Sequence, residues 1–100
     1  MRVIARSALV HFYTTHLQGA AAREPLNAWY DEVRRAAWAT PADVKAQYRS
    51  ASVLKGGRVV FNIAGNKFRL VVAIHYDRGI VFVRFVGTHA EYDAVDANTV

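Results

Sequence analysis

The sequence predicts an α+β domain in which N-terminal helices pack on one face of a small, mainly antiparallel β-sheet. Two observations predict this class. Apolar residues recur at helical spacing through the first half of the chain, and the period changes to two from Arg58 onward. Helices followed by strands are typical of α+β domains, whose helices gather on one sheet face. A chain of 100 residues is expected to form one domain over residues 1–100.

The N-terminal region predicts a short strand followed by a helix. Val3 and Ile4 predict the strand. Ser7 is expected to cap the helix and Gly19 to end it, because a hydroxyl accepts from a free backbone N–H and glycine tolerates the turn that follows a helix. The apolar residues between them have helical spacing: Leu9, Phe12, Tyr13 and Leu17.

Two further helices are predicted before the strands. Pro25 suits the first turn of a helix, and apolar residues follow it at i, i+3, i+4, i+7 and i+11, namely Leu26, Trp29, Tyr30, Val33 and Ala37. Thr40, Pro41 and Asp43 form the start of a short helix, with a capping hydroxyl, a proline at the first position and an acid at the third. We expect this helix to extend to about Tyr48.

The second half of the chain predicts three strands. In the first, Val59, Phe61 and Ile63 share one face, and Gly65-Asn66 is expected to supply the positive-φ residues of a tight hairpin. The next strand has a charged face that consists of Lys67, Arg69, Val71, Ala73 and His75. The run from Ile80 to Val86 is apolar on both faces apart from Arg84, which indicates a central strand covered on both sides.

The positive charge is concentrated in this strand region. The chain has a formal net charge of +5, and between Lys45 and His89 there are eight basic residues against Asp77 alone. Such a surface indicates an anionic partner. The absence of cysteine excludes disulfides, thiolate zinc sites and a cysteine nucleophile. No apolar run approaches the ~18–20 residues of a membrane span and no secretory signal is recognisable, so we expect a cytoplasmic protein with no membrane partner.

Four segments in order carry a resemblance to a known family: Asn27–Tyr30, Arg58–Ile63, Gly65–Val71 and Phe85–Asp93. Together they are similar to the HigB family of bacterial toxins, which belongs to the RelE/ParE-like superfamily. The resemblance implies a RelE/ParE-like fold and a HigA-type antitoxin as partner. It also implies cleavage of messenger RNA, typically on translating ribosomes, with operator DNA contacted only through the antitoxin.

Metal-free RNA cleavage indicates which residue types to look for. The ribose 2′-hydroxyl must lose a proton, the phosphorane needs cations, and the departing 5′-oxygen needs a proton. Arginine is a permanently charged bidentate donor, and histidine titrates near neutrality. The expected catalytic residues are therefore Arg69, Arg84, His89 and Tyr92. The expected RNA contacts are Lys55, Arg58, Lys67, Arg69 and His75. No metal or cofactor is expected.

Each assignment has a structural alternative. Strand charges also discourage edge pairing, Tyr92 also suits packing, and Arg84 is alternatively paired with Glu91 or Asp93. His11 and His16 are interpreted as surface or packing residues because they lack the i, i+4 spacing of a helical metal site. Trp29, Tyr30 and Trp38 are expected in the core or facing the antitoxin.

Two alternatives to an RNase also stay open, because relatives that share a fold need not share an activity. One is a non-catalytic ParE-like inhibitor of a protein target such as gyrase. The other is a degenerate toxin that retains only antitoxin binding and operator repression.

Overall fold

A computed structural model describes all residues from 1 to 100 and contains four α-helices and one five-stranded mixed sheet. The helices are α1 (Arg6–Thr15), α2 (Arg23–Arg35), α3 (Pro41–Gln47) and α4 (His89–Asp93). The strands are β1 (Arg2–Ile4), β2 (Ser52–Val53), β3 (Arg58–Ile63), β4 (Phe68–His75) and β5 (Ile80–Thr88). The strand order is β1-β5-β4-β3-β2, with β1 parallel to β5 and the other neighbours antiparallel. The predicted α+β class is confirmed.

The main core lies between the N-terminal helices and one face of the sheet. It contains 17 buried residues, among them Trp29, as its helical spacing predicts, and Trp38, which follows α2 and was expected in the core or facing the antitoxin. Trp29 packs edge-on against Phe61 of β3, with ring centroids 5.4 Å apart. Because alternate residues of a strand face opposite ways, Val59 and Ile63 enter the same core. The predicted inward face of β3 is confirmed.

The ends of α1 differ from the prediction. The helix begins at Arg6 with Ala5 in the cap position and no side-chain cap, so Ser7 lies inside the first turn. It ends at Thr15, and the buried Gly19 instead begins a 3₁₀ turn, Gly19–Ala22. A Cβ at Gly19 would lie 2.5 Å from the carbonyl oxygen of Phe12. Glycine is required there for close backbone approach to α1, and not as the terminus of α1.

The start of α3 is as predicted. Pro41 is its first residue, and Asp43 Oδ2 accepts the backbone N–H of Thr40 at 3.1 Å and that of Ala39 at 2.8 Å. These contacts satisfy donors that a helix N-terminus leaves free.

The β3–β4 hairpin is longer than predicted. Ile63 pairs with Phe68, so four residues form the loop, and the positive φ angles belong to Ala64 (54°) and Gly65 (68°) in place of Gly65-Asn66. Lys67 therefore precedes β4 and is not on the strand face of Arg69. It lines a groove on the helix side with Gln18 and Phe68. The expected pairing of Lys67 with Arg69 on one strand face is wrong for this reason.

Strand β5 is central and contains a bulge. Val72 pairs with Val83 and Val71 with Phe85, which leaves Arg84 as the extra residue. The expected cover on both faces is only partly present: Val81 enters the main core on the helix side, whereas on the other side Phe85 is half-buried and Arg84 is exposed. The segment after α4 crosses that other side, mainly over β3 and β4. Ala97 of that segment is only 7% exposed and packs with Val60 and Val71.

Candidate functional site

The face of β3, β4 and β5 opposite the main core, here called the open face, carries the predicted cations. Strand alternation places Arg58, Arg69 and His75 on this face, and the bulge adds Arg84. No aspartate or glutamate occurs in these three strands. The charged side chains that these strands place on the open face are therefore all cationic.

Four side chains of the open face line an open surface groove of about 370 Å³, here called the arginine cavity: Arg58, His75, Phe82 and Arg84. Arg58 pairs with Ala73, and Ala73 pairs with Phe82, so these residues lie side by side across three strands. The small side chain of Ala73 leaves the space between Arg58 and Phe82 open. His75 meets Phe82 edge-on, with ring centroids 5.1 Å apart.

Backbone oxygens of Ala97 and Val100 hold the two arginines of this cavity. Arg58 Nη1 donates to the carbonyl oxygen of Ala97 at 3.4 Å and to that of Val100. Arg84 Nε donates to the same Val100 oxygen at 3.3 Å. The alternative pairing of Arg84 with Glu91 or Asp93 is therefore not present, because the bulge directs Arg84 toward the chain beyond α4.

The other predicted catalytic residues lie at the opposite end of the open face, here called the α4 end. Arg69 donates to the backbone oxygen of Asn66 at 3.2 Å and to its side-chain oxygen at 3.4 Å. His89 Nδ1 lies 3.6 Å from Asp93 Oδ2, one helical turn away on α4. Tyr92 packs against the small apolar cluster of the open face.

An apolar strip separates these two ends. The His89 backbone N–H donates to the Lys67 carbonyl at 3.1 Å, which places His89 beside the start of β4. Arg58 pairs with Ala73, which is six residues beyond Lys67. At about 3.3 Å per strand residue the separation is roughly 20 Å. Between them lies a buried cluster of three residues: Val60, Val71 and Ala97. The structure thus brings Arg58, His75 and Arg84 together around one cavity, whereas Arg69 and His89 lie toward the other end of the sheet and Tyr92 packs against the apolar cluster.

Two predicted RNA contacts lie outside both groups. Lys55 is exposed in a 3₁₀ turn, Lys55–Gly57, and lines a neighbouring groove with Leu54 and Asn98. Gly56 lines both that groove and the arginine cavity, so Lys55 lies at the margin of the cationic surface. Lys67 is on the helix side of the hairpin, as described above.

Helix α4 is fixed by contacts that the sequence analysis missed. Thr88 and Glu91 form a reciprocal capping box, with Glu91 Oε1 accepting the Thr88 N–H at 2.8 Å and Thr88 Oγ1 accepting the Glu91 N–H at 3.1 Å. His16 Nε2 lies 3.0 Å from both Glu91 carboxylate oxygens. The Thr-x-x-Glu spacing is a signal that could have predicted the cap. The contact with His16 spans 75 residues and has no local signal.

The Glu91 carboxylate also has a perturbed acidity. The hydrogen bond from the Thr88 backbone lowers the pKa of Glu91 below its ordinary value of 4.5, and His16 lowers it further. The Gln18 N–H donates to His16 Nδ1 at 3.0 Å, so Nε2 carries the proton directed at Glu91. Glu91 therefore links α1 to α4 as a carboxylate.

No three histidine, aspartate or glutamate side chains are grouped so that they could hold a metal ion. None of the helices has both the length and the apolar character needed to cross a bilayer.

One family model matches residues 22–95, and its description is "HigB_toxin, RelE-like toxic component of a toxin-antitoxin system". The chain belongs to this family. It is a RelE-like toxin, and such a toxin has an antitoxin partner. The matched range contains both ends of the open face, whereas α1 and residues 96–100 lie outside it. No curated protein matches the chain.

Proposed function

We propose that this toxin is an endoribonuclease that cleaves messenger RNA on translating ribosomes and is neutralised in the cytoplasm by a HigA-type antitoxin. The observation that carries the proposal is the open face itself, where three arginines and a histidine project from strands that contain no carboxylate. Phosphate binding accounts for such a surface better than fold stability does, because arginines of like charge repel one another.

The chemistry requires no group that the chain lacks. A base removes the ribose 2′-proton, the 2′-oxygen attacks phosphorus, and the bond to the 5′-oxygen breaks as that oxygen accepts a proton. His89 is the proton-transfer residue in this proposal, and Asp93 Oδ2 lies 3.6 Å from its Nδ1. Arg69 supplies charge to the phosphorane, and Tyr92 stacks on a base or donates a proton.

Because of the distance between the two ends of the open face, we assign bond cleavage and RNA binding to different ends. His89 lies roughly 20 Å along the sheet from the pairing level of Arg58, so one phosphodiester does not contact both. We therefore assign bond cleavage to the α4 end. Arg84, expected among the catalytic residues, is assigned with Arg58 and His75 to binding RNA beside the cleaved bond. Lys55 extends this cationic surface.

The same separation favours one second candidate, which is a non-catalytic inhibitor that binds a protein target such as gyrase. A paired-arginine surface without an adjacent proton-transfer pair fits an acidic protein surface as well as a nucleic acid. This candidate differs from the first in a measurable way, since it predicts growth arrest without new RNA ends.

The deciding experiment is induction of the toxin alone in a bacterial host, with primer extension to map messenger-RNA ends. We expect new ends within translated codons, and we expect them to vanish in the Arg69→Ala/Arg84→Ala variant. The matched control is Arg23→Ala/Arg35→Ala, which removes the same charge from exposed positions on α2. Arrest without new ends would support a protein target, and no arrest would indicate a degenerate toxin that retains antitoxin binding.

A further inference from the structure

The segment 96–100 forms a closed turn directed at the arginine cavity. The Val100 N–H donates to the Asp96 carbonyl at 2.9 Å, and the Asp96 side chain accepts the Asn98 N–H at 2.9 Å. Ala97 anchors the turn by packing on Val60 and Val71. The turn is therefore held by its own hydrogen bonds and by burial, and it presents the Val100 carbonyl to the cavity.

This turn brings two like charges together. Arg58 and Arg84 donate to the same Val100 oxygen, and Arg58 donates also to Ala97. The Ala97 and Val100 oxygens partly offset the repulsion between the two guanidinium groups. Arg58 uses only Nη1 and Arg84 only Nε in bonds within the chain. The remaining N–H groups of both guanidiniums are free to bind an anion bidentately.

The opposite wall of the cavity is aromatic. Phe82 lies across Ala73 from Arg58, at a distance of two strand spacings or roughly 10 Å. The His75 ring meets Phe82 at an angle of 74° and closes one side. A cationic wall and an aromatic wall on either side of a small residue match the two parts of a nucleotide, its phosphate and its base.

We infer that the arginine cavity is a subsite for a single nucleotide of RNA and that residues 96–100 are the positioning element that pairs Arg58 with Arg84. The phosphate binds to the N–H groups of Arg58 and Arg84 that the Val100 oxygen leaves free, and the base packs against Phe82. The turn assists binding by holding Arg58 and Arg84 at one common acceptor. The inference rests on the RNA substrate of the proposed function but not on where the bond is cleaved.

The first test is titration of the full chain with adenosine 5′-monophosphate, inorganic phosphate and adenosine, followed by the amide NMR signals of Gly56 and Phe82. We expect the nucleotide to bind at least about fivefold more tightly than phosphate, the lower end of what stacking on an aromatic ring contributes. Both should weaken with salt. Equal affinity for phosphate and nucleotide would reduce the cavity to a simple anion site and overturn the inference.

Two variants separate the walls of the cavity. Ala73→Leu fills the space between Arg58 and Phe82 and should abolish the preference for nucleotide over phosphate. Arg58→Ala should weaken both ligands by about tenfold or more, because it removes a charge-assisted bidentate contact. Arg35→Ala on α2 removes the same charge from the opposite side of the sheet and should leave binding unchanged. Nucleotide binding that survives Ala73→Leu would refute the subsite.

The role of the turn is tested with Ala97→Gln, a neutral change that disturbs its packing on Val60 and Val71. We expect nucleotide binding to weaken severalfold while the NMR signals of the main core stay unchanged. The Nε–H signals of Arg58 and Arg84 should broaden as the two side chains lose their common acceptor. Tighter binding in this variant would mean that the turn blocks the cavity, and the positioning role would be wrong.

The same variants distinguish this inference from the proposed function. Absence of RNA cleavage by the unchanged toxin, with nucleotide binding present, would count against the cleavage proposal alone. Full cleavage and unchanged RNA affinity in Ala73→Leu would count against the nucleotide subsite alone.

Discussion

The two faces of the sheet use similar strands for different purposes. The helix-covered face buries most of a cluster of 17 apolar residues, whereas the open face has a buried cluster of only three, flanked by arginines. Alternation along β4 separates the two, since Leu70 and Val72 face the helices while Arg69 and Ala73 face the other way. Stability is concentrated on one face, and the surface available for binding lies on the other.

The difference teaches how a small domain tolerates clustered cations. Like charges destabilise a fold, and this chain keeps them on an accessible face where water and backbone carbonyls solvate them. Arg58 and Arg84 are satisfied by the turn at residues 96–100 and not by acidic side chains.

The largest effect on function without an effect on stability is expected for His89→Ala at the α4 end of the open face. We expect cleavage of messenger RNA to slow by roughly 10²–10⁴-fold if His89 transfers a proton, with little change in the free energy of unfolding because His89 is exposed. His11→Ala, at an exposed position of α1, is the control. A loss of less than about tenfold in a folded variant would demote His89 to a positioning role.

The matched pair Phe61→Ala and Phe82→Ala compares the two faces directly. Phe61 is 1% exposed in the main core, so its truncation should lower the free energy of unfolding by about 3–5 kcal/mol. Phe82 is only half-buried, so the same change should cost no more than about half as much. Denaturant unfolding of both variants measures this. Equal costs would show that the open face carries as much of the core energy as the helix side.

The smallest expected effect concerns pH and α4. The pKa of Glu91 is lowered in the folded state. The Glu91 carboxylate therefore stabilises α4 fully at pH values above 4.5, the pKa of the unfolded state, and this stability is lost as the pH falls through the lowered folded-state pKa. Glu91→Gln should remove this pH dependence. Amide exchange at Thr88 and Glu91, compared between the two proteins, gives the measurement. Parallel pH profiles would contradict the role of the carboxylate.

Local signals predicted much of the fold, but they did not predict the ends of α1 or the length of the β3–β4 hairpin. The Thr40-Pro41-Asp43 start of α3 and the alternation of β3 were predictable because the deciding contacts lie within a few residues. The cap of α1 and the role of Gly19 were not predictable, because Gly19 is required by its close approach to the backbone of Phe12, which lies in another element. Lys67 was misplaced because the length of the hairpin depends on which residues pair across it.

The sequence by itself determined the α+β class, the inward faces of the strands and the concentration of cations on β3 to β5, because these follow from periodicity and composition. Only the tertiary structure decided how those cations are grouped. Strand register places Arg58 beside Ala73 and Phe82, the bulge turns Arg84 toward Val100, and roughly 20 Å of sheet separates them from His89. Such distances depend on which distant residues pair, and no local pattern contains that information.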